Sequence, residues 1–295
     1  MFFTTNNIIN IFVQSSVIGI LAAGFTLVLI AGEIDLSITS VLALASVVSG
    51  VLIIKDNVPV IPAVALTIGV GVVVGIVNAY FTTLVRLPSF IVTLAMLGIA
   101  QGLAFVLTGA QTVEGYPHSY TVIGQGKIGT IPILVFIAAG VYLILNFVLS
   151  QTETGMNIYA VGGSRRAADL IGLRSGRTVL LTFMISGGLA ALAGIILSAQ
   201  LNAAQGSFGQ TDLFGAIAAV VIGGASLNGG AGTLLGTAGG VLVISTIDDG
   251  LVLLGVSPFW VQVVLGLIIV GAVMIDRLIK GELQLGELIP AWPHA

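Results

Sequence analysis

Four of the nine basic residues of this chain, Arg165, Arg166, Arg174 and Arg177, fall in the stretch Gly155–Arg177, while the rest of the sequence is almost without charge. Clustered guanidinium groups offer forked hydrogen bonds and ion pairs to a soluble partner, and they keep their segment out of hydrocarbon. The surrounding pattern predicts a short helix over 164–172. Ser164 can cap its first turn. Gly162 and Gly163 supply a turn before it, and Gly172 a left-handed stop after it. Ala167, Leu170 and Ile171 form a small apolar face, and Arg165, Arg166 and Asp169 a polar one, with Ala168 between them. A helix of this length does not hold alone, so packing or a docked partner must hold it.

A second set of polar groups lies in two glycine-interrupted segments, Val28–Ser40 and Ala219–Thr233. The first carries Gly32, Glu33, Asp35 and Ser37; the second carries Gly224, Ser226, Asn228 and Gly229. Each joins two apolar runs through glycine and a small polar patch, so the pair reads as a weak repeat. Such interrupted segments in two halves of a chain mark a transporter's central path, because non-helical backbone survives at membrane depth only against protein or a wet cavity. Both also read as ordinary surface loops, although five glycines within Gly223–Gly232 are too many for a routine helix. Asp248-Asp249 reads in the same two ways, as an acidic mouth of a path or as a solvated helix end.

These groups sit in a chain of 295 residues that is 57% hydrophobic and 7% charged, with mean hydropathy +1.17. A soluble domain has about 25% charged residues, so the fold class is an all-α polytopic membrane protein. Nine apolar spans are predicted: 8–31, 36–54, 60–85, 89–108, 131–149, 179–200, 213–228, 233–254 and 258–276, some of them broken, with weak inverted-repeat character. About 20 apolar residues cross the hydrocarbon core, and Pro59, Pro88, Pro132 and Pro258 stand at helix starts. There is no cysteine, and the two histidines, His118 and His294, sit in a loop and at the C-terminus. No metal or cofactor is expected, and no basic groove is available for nucleic acid.

Orientation follows from lysine and arginine. The loop 150–178 and the tail 277–295, with Arg277 and Lys280, should share the cytoplasmic side, as four predicted spans separate them. Arg86 belongs to the same side. Met1 then lies outside together with the loop 109–130, which suggests a further N-terminal span missing from this chain. Residues 1–295 read as one membrane domain, with lipid around it and no enzyme-sized domain on either side.

The residues resemble a known family, the permease subunits of ribose-type monosaccharide ABC importers. The matching stretches are FFTTNNIINIFVQSS, IDLSITSVLAL, IYAVGGSRRAADLIGL, GLAALAGIILSAQLNAAQ, AIAAVVIGGASLNGGAGTLLGT and DDGLVLLGVS, in order over nearly the whole chain. The resemblance implies a bacterial inner-membrane permease that dimerises with itself or with a similar chain. It implies a separate cytoplasmic ATPase and an extracytoplasmic sugar-binding protein as partners. It maps the family's coupling loop onto Gly162, Gly163, Arg165, Arg166, Ala167, Ala168 and Gly172, beside Asp169. Candidate groups of the path are Asp35, Ser37, Gly224, Ser226, Asn228 and Gly229. The chain departs from the family pattern at Glu33 and Thr39, where glycines are usual. It departs also at Gly215, where an acid is usual, and at Asp248-Asp249, where an amide pair is usual.

The sequence holds no phosphate-binding G-x-x-x-x-G-K-[ST] motif, so ATP belongs to another chain. An uncharged, polyhydroxylated solute needs scattered hydroxyl and amide partners and no fixed ion pair, which suits spans so poor in charge. A branched-chain amino acid permease of the same broad group is the alternative. An ion-coupled transporter needs acids, histidine or lysine inside its spans, and these spans have none away from loop ends. An intramembrane enzyme would need a catalytic or metal-binding set that the spans lack.

Overall fold

The computed structural model describes residues 2–279; the tail beyond Ile279, with Lys280, lies outside them. The described chain is helical almost throughout. Among the described residues, seven helices are long and apolar enough to cross a membrane: α1 (Thr5–Ile30), α2 (Ile38–Gly50, continued by a π-helical turn at Val51–Lys55), α3 (Val60–Thr83), α4 (Ser89–Thr108), α6 (Ile133–Gln151), α9 (Ser175–Leu201) and α11 (Leu234–Leu253). The C-terminal helix α12 (Pro258–Ile279) and the short α10 (Asp212–Ile222) account for the remaining apolar segments. Pro59, Pro88 and Pro132 stand at the N-caps of α3, α4 and α6, as expected.

The predicted span 213–228 is corrected. α10 has 11 residues and stops at Ile222, about 16 Å of helix at 1.5 Å per residue, too short to cross. Its backbone is closed down on α11 by glycines. A side chain on Gly223 or Gly240 would collide with main-chain atoms of Gly236 or Ala219. Small residues that let helix backbones touch take the place of the hydrophobic effect in lipid.

α9 is the central post. It packs against α1, α2, α3 and α5 (His118–Gln125), and most extensively against α3. Gly71 and Gly75 of α3 lie directly on the backbone of Gly187 and Phe183. α1 is buried along most of its length and meets α11, where the hydroxyls of Thr26 and Thr237 share a 2.8 Å hydrogen bond. The loop 109–130 is more ordered than its composition suggests. It forms α5 and two-residue strands, of which β1 (Val113–Glu114) pairs antiparallel with β4 (Ala203–Ala204) and β2 (Lys127–Ile128) with β3 (Ile131–Pro132). Tyr116 and Tyr120 stack at 4.3 Å and share Ser49 of α2 as a hydroxyl partner.

Charged groups gather at both ends of the bundle. Arg86 shares a cleft with Glu33, Arg165 and Asp169. Near the start of α1, Asn7 donates to Asp249 at 2.6 Å. Asp249 is therefore buried and partnered, and the reading of Asp248-Asp249 as a solvated helix end is corrected for Asp249: α11 continues to Leu253, which places this residue inside the bundle. Replacing Asn7 by alanine leaves that carboxylate without its donor. The expected loss is about 2 kcal/mol in thermal unfolding, the cost of an orphaned buried partner.

Candidate functional site

The arginine-rich segment folds as two helices, α7 (Glu153–Gly163) and α8 (Arg165–Leu170), between α6 and α9. Ser164 caps α8: its hydroxyl accepts from the Ala167 N–H at 3.2 Å. Gly172 adopts φ +88°, the left-handed stop expected of it, and the Leu173 N–H closes back on the Ala168 carbonyl at 3.0 Å. Gly162 and Gly163 do not form a free turn. They are the last residues of α7, because the Ser164 N–H still bonds the Ala160 carbonyl. Ala168 is the buried residue of α8, set among Val28, Ala79, Val161, Val179 and Phe183. Leu170 and Ile171 point the other way and are 81% and 75% exposed. Packing thus holds the helix from behind and leaves its apolar face free.

Beside α8 lies a cleft of about 620 Å³ that reaches the α3–α4 turn. Arg165 forms an ion pair with Glu33 across it at 3.2 Å. Burial raises the Glu33 carboxyl above the ordinary range, against the opposing pull of Ser89 and Arg165. Arg166 is exposed, and Asp169 accepts from the Ser175 hydroxyl at 2.6 Å.

The two glycine-interrupted segments meet on this same face. The Gly230 N–H donates to the Ile30 carbonyl at 2.9 Å. Gly229, at φ +82°, faces Gly32 so closely that an added Cβ would lie 2.6 Å from the Gly32 Cα and 2.9 Å from the Gly162 carbonyl oxygen. Asn228 and Gly224 are exposed here and Ser226 is buried. The pairing read in the sequence therefore appears as direct contact on one face.

Asp35 and Ser37 are enclosed in the bundle. Asp35 is 1% exposed. Its carboxylate accepts from the Ser37 N–H at 3.0 Å, the Ser37 hydroxyl at 2.6 Å and the Ser186 hydroxyl of α9 at 2.9 Å. The Asn78 amide of α3 donates to the Ser37 hydroxyl at 2.9 Å. The network pins the start of α2 between α3 and α9.

One element escaped the sequence reading. The segment between α9 and α10 turns back into the bundle. Gly209 lies against Leu42 and the Thr39 carbonyl of α2, and the Gln101 amide of α4 donates to the Gly206 carbonyl. Leu42 is level with Gly194, seven residues from the end of α9 at Leu201, so the segment descends about 10 Å. It carries Gln205, Ser207, Gln210 and Thr211 and ends at Asp212. A polar run with Gly206 and Gly209 directly after an apolar helix was the available signal.

The sequence profile of the family described as branched-chain amino acid transport system / permease component matches residues 7–273. The chain belongs to that family. It is thus a transport permease, a multi-pass membrane protein and not an enzyme. The chain is 38% identical to the ribose import permease protein of Bacillus subtilis over 92% of its own length and 84% of the relative's. It is 38% identical to the ribose import permease protein of Escherichia coli strain K12 over 94% and 87%, and 37% identical to the D-allose transport system permease protein of the same strain over 95% and 86%. No solved structure matches this permease.

Proposed function

We propose that this permease is the membrane-spanning subunit of an ATP-driven bacterial importer and passes a ribose-like monosaccharide. The observation that carries the substrate class is the similarity, at 37–38% identity over nearly the whole chain, to ribose and D-allose permeases. A separate ATPase would dock on α8, an extracytoplasmic binding protein would deliver the sugar, and a second permease chain, identical or similar, would complete the path. On this reading the arginine face is cytoplasmic and the membrane is the plasma (inner) membrane.

The shape of α8 supports the docking role. Two large apolar side chains on a short helix, held from behind by Ala168 and flanked by Arg165 and Arg166, form a surface that water alone would not favour. Gly162, Gly163, Ala167, Asp169 and Gly172 shape and support it. Gly224, Ser226, Asn228 and Gly229 would border the path at its cytoplasmic mouth. Asp35 and Ser37 would act on the path by fixing the start of α2.

Replacing Leu170 and Ile171 together by aspartate should abolish co-purification of the ATPase encoded with the permease, with yield and melting of the membrane chain unchanged. Retained ATPase binding would refute the docking role. Uptake of labelled ribose, D-allose and leucine by proteoliposomes bearing the assembled importer tests the substrate class. ATP-dependent uptake of leucine alone would transfer the assignment to an amino acid.

A further inference from the structure

We infer that the end of α7 is a three-way joint through which ATP-driven movement reaches both glycine-interrupted segments at once, with Gly162 and Tyr159 as its positioning residues. The inference rests on the docking reading above and adds the residues that pass movement inward from it.

Contacts among three segments define the joint: the end of α1, the end of α7 and the loop before α11. The carbonyl oxygen of Gly162 faces Gly229, and a side chain at Gly162 would collide with the Ile30 carbonyl and come within 2.7 Å of the Gly230 nitrogen. The Gly230 N–H donates to that same Ile30 carbonyl, so the end of α1, the end of α7 and the loop before α11 share one point. The Tyr159 hydroxyl, one turn back along α7, donates to the Gly232 carbonyl at 2.7 Å. Arg165, one residue past the Ser164 cap, holds Glu33.

α8 joins α7 through Ser164, and α7 ends on the joint. Arg165 of α8 also reaches Glu33 directly. Backbone contacts at glycine leave no flexible side chain to absorb a shift, so a push on α8 moves residues 30–33 and 229–232 together. Residues 30–33 lead into the Asp35 network, which holds α2 against α3 and α9. Residues 229–232 lead through the Thr233 cap into α11. One input is thereby divided between the two segments.

The test uses the complete importer, with ATPase and binding protein, in proteoliposomes, reading sugar uptake and ATP hydrolysis together. Gly162→Ala should melt below wild type, since its Cβ meets the Ile30 carbonyl, and in the importer that assembles, sugar moved per ATP should fall about tenfold, a typical coupling factor. Tyr159→Phe keeps the packing and removes one hydrogen bond; its uptake per ATP should fall about fivefold, the worth of one such bond. The chain has no cysteine, so Glu33→Cys with Arg165→Cys gives a clean pair. Reduced, it should be poorly coupled; bridged by a bis-thiosulfonate, it should regain uptake per ATP.

Wild-type uptake per ATP in an intact Tyr159→Phe importer, or a bridged pair no better coupled than the reduced one, would overturn the joint while leaving the docking reading in place. Failure of the wild-type chain to bind any ATPase overturns the docking reading, and the joint with it.

Discussion

Replacing Gly75 by leucine is expected to prevent α3 from seating on α9. An added Cβ at this position meets the Phe183 carbonyl and lies only 3.0 Å from the Met184 Cα, and a Cβ at Gly71 would likewise meet the Gly187 carbonyl and the Ala191 side chain. The obstructing atoms are mostly main chain, in the most extensively packed helix pair of the molecule, so no rotamer change can make room. Overpacking of a filled core costs about 1–3 kcal/mol, and leucine at such a backbone contact should exceed that range. Gly75→Leu should give little folded protein in detergent, and Gly75→Ala a melting temperature well below wild type. On the same helix, a Cβ added at Gly69 would meet nothing within 4 Å; Gly69→Leu should change stability by less than about 0.5 kcal/mol. Equal melting of the Gly69 and Gly75 variants would show that the α3–α9 contact is not what holds the bundle.

The second large effect is expected at Asp35. Asp35→Ala strands two donors on Ser37 and one on Ser186, all buried. Each orphaned donor costs about 1–3 kcal/mol. The hydroxyls can turn toward other acceptors, so the expected loss is about 4 kcal/mol rather than the full sum. Asp35→Asn keeps one acceptor oxygen and should lose about half as much, and Ser186→Ala, which removes a single bond, about 1 kcal/mol. Thermal unfolding of the three purified variants gives the order directly. An Asp35→Ala variant as stable as wild type would mean that the network does not anchor α2.

The long apolar helices, their proline starts and the face shared by Arg86 and Arg165 were all legible in the sequence, because hydropathy and charge act locally and lipid permits few alternatives. Ser164 and Gly172 were legible for the same reason: a cap and a left-handed stop are decided within one turn. The glycines invited misreading. Gly162 and Gly163 looked like a turn, and 213–228 looked like a span, since a glycine that loosens a helix cannot be told by sequence from one that lets two backbones touch. Asp249 likewise looked like a helix-end acid, because its donor, Asn7, lies 242 positions away. The inward segment before α10 was missed because polar residues after an apolar helix ordinarily mean that the chain has reached water.

By itself the sequence determined that this is an all-helical membrane protein, where most of its helices lie, which loops share a face and which short helix offers a handle. Each follows from what neighbouring residues demand of lipid, water and the backbone. The tertiary structure decided which glycines touch, that Asp35 is enclosed, and that α7, Ile30 and Gly230 meet at one point. Those depend on contacts between residues far apart in the chain, many of them glycines, and such contacts leave no periodicity in the chain to read.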